Sequence, residues 1–157
     1  MSTCSNIIVE DQYHRIQISS HSDGCPESVL PDIQKALPYA WKLPRFEADE
    51  FAAAIVAAWK QDLKAMKEKY GFKGTAGGGI YIDGTPKGFE MIHGDTEWVY
   101  VIAQTENGPV VRVYDWHPYW LDRRDPAKVL PVPLREIPLL ETGDIAWLEE
   151  LNVEDED

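Results

Sequence analysis

Apolar residues recur with two different periods along this chain, and the switches between them mark the elements. Ile16 and Ile18 alternate with Arg15, Gln17 and Ser19, the period-two pattern of a half-buried strand, so residues 13–20 read as a strand. Residues 6–10, Asn6-Ile7-Ile8-Val9-Glu10, read as a shorter strand before it. Pro26 then suits the first position of a helix, and Val29, Leu30, Ile33 and Leu37 follow at helical spacing until Pro38 limits it. The clearest helix covers residues 48–70: Phe51, Ile55, Trp59, Leu63, Met66 and Tyr70 fall every three or four residues, with alanines between. Asp49 and Glu50 at its start and Lys64, Lys67 and Lys69 near its end complement the helix dipole, and Gly71 is a natural stop.

Beyond residue 79 the period returns to two. Ile80-Tyr81-Ile82, residues 97–103 and Val110-Val111-Arg112-Val113-Tyr114 read as strands. Asp83-Gly84 signals a turn and Asn107-Gly108 a hairpin. Residues 118–138 are proline-rich and read as irregular, and Asp144 caps a short last helix holding Ile145, Trp147, Leu148 and Leu151. This order predicts an α+β fold: a mainly antiparallel sheet packed against one long and one shorter helix, with a short C-terminal helix. Residues 1–148 form the single domain and 149–157 an acidic tail.

Charge divides the chain unevenly. Of 27 acids, Glu141, Asp144, Glu149, Glu150, Glu154, Asp155, Glu156 and Asp157 lie in the last seventeen residues, which carry no Lys or Arg. The body before them has the remaining acids against all 15 bases and is close to balance. An acidic surface repels phosphate backbones, which argues against direct DNA or RNA binding; an acidic face can instead occupy a basic groove on another protein. No basic region followed by an apolar stretch opens the chain, and no apolar run spans a bilayer, so the expectation is a cytoplasmic protein with no membrane partner. Cys4 and Cys25 have the spacing of neither a zinc motif nor a disulfide framework and read as reduced thiols.

Two acidic-histidine elements carry the candidate chemistry: His21-Ser22-Asp23-Gly24, after the second strand, and His93-Gly94-Asp95, before the fourth. Turn chemistry alone explains Asp-Gly and Gly-Asp pairs. If the fold brings the elements together, His21, Asp23, His93 and Asp95 make a ligand-contact site, or a set of imidazole and carboxylate donors suited to a transition metal. The segment Asp115-Trp116-His117-Pro118-Tyr119-Trp120 reads either as an aromatic lid closing the sheet edge or as a platform for a flat ligand, with Trp116 and His117 as its contacts. Gly77-Gly78-Gly79 lacks the following helix and Lys-Ser/Thr pair of a phosphate loop. Arg123-Arg124, flanked by Asp122 and Asp125, reads as a surface ion-pair cluster or as a bidentate contact for an anionic ligand. No cofactor is indicated.

The stretch His21-Ser22-Asp23-Gly24-Cys25-Pro26-Glu27, with Gly78-Gly79-Ile80-Tyr81 and His93-Gly94-Asp95-Thr96-Glu97-Trp98-Val99-Tyr100 downstream, resembles small uncharacterised proteins of phages, prophages and bacterial genomes. Their pattern reads roughly Tyr-Arg-His-x-Asp-Gly-Tyr-Pro-Glu, and this chain departs from it at Ser19-Ser20 and Cys25. The resemblance implies an accessory protein of mobile elements acting by stoichiometric binding. Its partner would be a host protein, as in counter-defence, or a small anionic, nucleotide-like ligand. Three expectations follow: such a binding protein, a metal-dependent hydrolase using the two His-x-Asp elements, or a structural subunit whose faces serve homo-oligomeric assembly.

Overall fold

In the computed structural model, residues 3–21, 24–39, 46–70, 79–121 and 131–139 are described. Six strands form one sheet in the order β3-β2-β1-β4-β5-β6: β1 Ser5–Glu10, β2 Arg15–Ser20, β3 Ile80–Ile82, β4 Trp98–Thr105, β5 Gly108–Asp115 and β6 Arg135–Pro138. Every neighbouring pair is antiparallel except β1 and β4, which run parallel with Ser5 opposite Trp98 and Val9 opposite Ile102. The parallel pair is the consequence of inserting two helices and β3 between β1–β2 and β4. The result is the α+β fold that the element order predicts, with a mixed, mostly antiparallel sheet.

Strand alternation separates the two faces. Ile7, Val9, Ile18, Tyr100, Ile102, Val111, Val113 and Ile137 point to one face and form the main core with α1 (Pro26–Ala36) and α2 (Ala48–Tyr70). Helix α1 contributes Val29, Leu30, Ile33 and Ala36; α2 contributes Ala48, Phe51, Ala52, Ile55 and Trp59, the stripe read from the sequence. A 3-10 turn, Leu37–Tyr39, ends α1 where Pro38 stops regular helix. The start of α2 is capped from a distance: Asp11, in the β1–β2 turn, accepts the Ala48 N–H at 2.8 Å, and also those of Tyr13 and His14.

The opposite face is polar near β2 and apolar near β4 and β5. Ile8, Val99, Val101, Tyr114 and Trp116 form a second, smaller core, covered by Phe89 and Ile92 of the 83–97 segment and by Tyr119 of the short helix α3 (His117–Leu121). The segment 118–138, read as irregular, contains the end of α3 and the edge strand β6. The strand signal there is short: only Ile137 of its four residues is buried. The β4–β5 hairpin closes through Glu106 and Asn107, with Thr105 opposite Gly108, so Gly108, at φ 113°, opens the returning strand instead of sitting in the loop. The expected C-terminal helix, the acidic tail, Arg123-Arg124 and most of the glycine run lie outside the described residues.

Candidate functional site at one end of the sheet

The row Ser20–Ser5–Trp98–Asp115 marks one end of the sheet. The described candidate-site residues sit at or over this end. His21 follows β2, His93 and Asp95 precede β4, and Trp116 and His117 follow β5. β2 and β4 are not neighbours; β1 lies between them and brings Cys4 to the same place. The ladder continues past the strand ends, with Glu97 N–H donating to the Cys4 carbonyl at 3.0 Å and Trp116 N–H to the Glu97 carbonyl at 2.9 Å.

A small hollow of about 10 Å³ there is lined by Cys4, Ser5, Asn6, Ser19, Ser20, His21, His93, Asp95 and Thr96. Both His-x-Asp elements therefore meet at one hollow through His21, His93 and Asp95; Asp23 lies outside the described residues. The volume is that of about one water molecule. Cys4 Sγ stands 3.6 Å from Asp95 Oδ2 and 3.6 Å from the His21 carbonyl. Burial, and then the charge of Asp95, push the Cys4 thiol up to about 11, so it is protonated at neutral pH and a poor nucleophile. His21 Nε2 is 3.4 Å from the Tyr81 hydroxyl.

Beneath the hollow runs a chain of polar side chains across the sheet. Thr96 Oγ1 donates to Asn6 Oδ1 at 2.6 Å, Asn6 Nδ2 to Ser19 Oγ at 2.7 Å, and Ser19 Oγ to Asp83 Oδ2 at 2.5 Å. The same Asp83 oxygen meets His93 Nε2 at 2.5 Å. Thr96, Asn6 and Ser19 are buried, Asp83 is about a quarter exposed, and His93 ends the chain at the surface. Burial would raise the Asp83 pKa, but the hydrogen bonds from Ser19 and His93 outweigh it and hold the carboxyl below the usual range. A carboxylate on Nε2 fixes the ring's orientation and leaves the Nδ1 lone pair available when the imidazole is neutral. Ser5 Oγ, buried at the hollow's edge, has no hydrogen-bond partner among the described residues.

The second His-carboxylate group lies further along the same end. His117 Nδ1 contacts Asp115, and its Nε2 stands 3.4 Å from Glu97 Oε1, so both nitrogens face carboxylates. The ring also meets Trp98 edge-on. Trp116 is 3% exposed and packs with Phe89 and Tyr119 at centroid distances of 5.2 and 4.5 Å. Of the two sequence readings of this segment, the geometry of Trp116 is that of the aromatic lid, and it presents no open face to a ligand.

Sequence reasoning passed over the roles of Cys4, Ser5, Asn6, Ser19, Thr96 and Asp83. Polar residues at consecutive inward and outward positions of otherwise apolar strands, as in Ser19-Ser20 and Ser5-Asn6, were the available signal. It also passed over a hollow of about 750 Å³ at the opposite end of the sheet, between the β1–β2 turn and the start of α2. Glu10, Asp11, Tyr13, His14, Phe46, Glu47 and Asp49 are among its lining residues. Asp11 there is committed to capping α2.

Among the described residues, no three His, Cys, Asp or Glu side chains stand placed to hold a metal ion together, and no helix is long and apolar enough to cross a membrane. In comparisons with known proteins, no family model, no curated protein and no solved structure matches this chain.

Proposed function

We infer that this chain is a binding protein that acts by stoichiometry and docks the His21–His93–His117 end of its sheet against a partner protein. The observation that carries this reading is the convergence there of hydrogen-bonding side chains from four segments, held by a buried polar chain. Asp83, Asp95, Glu97 and Asp115 stand around that end, which favours a basic, donor-rich partner surface. A small nucleotide-like anion, the other expected occupant, is opposed by the same carboxylates and by a hollow with room for about one water. The resemblance to phage and prophage proteins supports the same reading, with a cytoplasmic host defence protein as the partner.

The test is capture on immobilised wild-type and Asp95→Asn proteins across a salt series. A partner bound in stoichiometric amount by wild type, weakened by the substitution and released as salt rises toward about 0.5 M, where screening shortens to a few ångströms, supports the reading. Absence of any such partner, together with turnover of a phosphoester or peptide substrate, would replace it with the hydrolase reading.

A further inference from the structure

We propose that the hollow of about 750 Å³ beside the β1–β2 turn is a binding site for a small aliphatic polyamine, a flexible ligand carrying two or more ammonium groups. It lies at the opposite end of the sheet from the partner surface, and neither site needs the other to be occupied.

Size and walls set the class of ligand. The volume falls within the roughly 300–1,000 Å³ usual for small-molecule sites. Phe46 and Ala103, both buried, give the hollow apolar walls against which an aliphatic chain packs. Tyr13, 69% exposed in the turn, adds an aromatic ring whose face attracts an ammonium group.

Charge sets the sign of the ligand. Glu10, Asp11, Glu47 and Asp49 line the hollow, and there is no Lys or Arg among its described lining residues. Glu10 is answered by the guanidinium of Arg15. Asp11 and Asp49 both stand at the start of α2, where Asp11 accepts the Ala48 N–H and Asp49 the Glu50 N–H, each at 2.8 Å. A helix N-terminus carries about half a positive charge, too little to offset even these two carboxylates.

Asp11 points to a cation independently of that count. Its side chain is 8% exposed. Burial would raise its pKa, but the N–H groups of Ala48, Tyr13 and His14 outweigh burial and hold the carboxyl below the usual range, so it stands ionised in the wall of the hollow. Two of those bonds fall on Oδ1 and one on Oδ2. A carboxylate has about four acceptor sites, so Oδ2 keeps one for a further donor. All three donors are neutral backbone groups, and the His14 ring stands 3.7 Å away, half-exposed. Buried charges are ordinarily matched by opposite ones, and an ammonium group supplies both the charge and the donor.

The spread of the carboxylates decides between kinds of cation. Among the described residues no three His, Cys, Asp or Glu side chains converge as the ligands of one metal ion would. Separated carboxylates around a hollow of this size match separated ammonium groups on a flexible chain, not one compact ion.

The experiment titrates spermidine into the full chain by calorimetry at low ionic strength. Wild type is compared with Glu47→Gln/Asp49→Asn, Tyr13→Ser and Asp62→Asn, each first shown to be folded by circular dichroism. Asp62 lies on α2 roughly 20 Å beyond Asp49, so its substitution removes charge away from the hollow. Wild type and Asp62→Asn are expected to take up about one equivalent with affinities within about twofold of each other. The double variant should bind about tenfold more weakly, the effect of removing two partly exposed ion pairs. Tyr13→Ser should bind about threefold more weakly, for one exposed ammonium–ring contact. No saturable uptake by folded wild type, unchanged affinity in the double variant, an equal loss in Asp62→Asn, or displacement of spermidine by equimolar magnesium overturns the proposal. Partner capture is read at the other end of the sheet through Asp95, so either reading can fail without the other.

Discussion

Replacing Asp83 with alanine removes the acceptor at the centre of the polar chain. The Ser19 hydroxyl, 2% exposed, then keeps the Asn6 amide as donor but loses the acceptor for its own hydrogen. His93 loses its anchor, while Gln17 keeps the Met91 carbonyl at 2.9 Å. One lost hydrogen bond to a charged acceptor is worth about 1.5–3 kcal/mol, and the orphaned hydroxyl belongs to the same loss, so the expected cost at neutral pH is about 2–3 kcal/mol. For a domain of this length that lowers Tm by roughly 4–10 °C. The cost must also depend on pH. The folded Asp83 carboxyl titrates below its ordinary value, so its stabilising contribution is present above the unfolded value, about 3.9, and is lost as pH falls through the folded one. Urea denaturation of wild type and Asp83→Ala at pH 7 and in steps below pH 4 measures both effects. The gap between the two proteins is expected to narrow on acidification. A gap under about 0.5 kcal/mol at pH 7, or one that stays constant to the lowest pH at which wild type folds, would refute the reasoning.

Three further substitutions probe other parts of the argument. Trp116→Ala should cost about 3–5 kcal/mol in urea denaturation, because the ring fills the second core; a stability change below about 1 kcal/mol would return Trp116 to the list of ligand contacts. Asp11→Ala should cost about 1–2 kcal/mol in urea denaturation through loss of the α2 cap, and unaltered stability would remove the long-range cap. Gly24→Ala places a Cβ 2.6 Å from the Thr3 carbonyl oxygen and 2.7 Å from Ser5 Cβ, so the β1 start must shift; a loss of about 1–3 kcal/mol in urea denaturation is expected, and a neutral result would mean that this close approach relaxes freely.

How far the sequence led can be argued from particular residues. The α2 stripe was legible because a helix of 23 residues repeats its signal over six turns, so Phe51, Ile55 and Trp59 could be assigned to the core. β6 was not, since four residues give one buried position and prolines on both sides read as loop. The two His-x-Asp elements were visible as strings, yet their meeting was not: it depends on β1 standing between β2 and β4, and on a parallel pairing whose register no local pattern encodes. Cys4 was set aside for the same reason. At position 4, its importance comes only from the strand that follows it and from the two neighbours that strand acquires.

The polar chain beneath the site also answers how that register is held. A strand slipped by one residue against its neighbour exchanges its faces, and apolar side chains alone penalise such a slip weakly where both faces are buried, as they are for β1 and β4. Asn6 removes the ambiguity. On its own face it gives one hydrogen bond, to Ser19 of β2, and receives another, from Thr96 before β4. On the other face it would enter the core of Ile7, Ile18 and Tyr100 with neither, at a cost of about 1–3 kcal/mol for each buried group left unpaired. The pairing that satisfies Asn6 is also the one that sets Cys4 beside His21 and Glu97 and hangs Asp95 and His93 over them. The chain that fixes the fold at this end therefore fixes the site, and a variant that relaxed Asn6 would be expected to loosen both together.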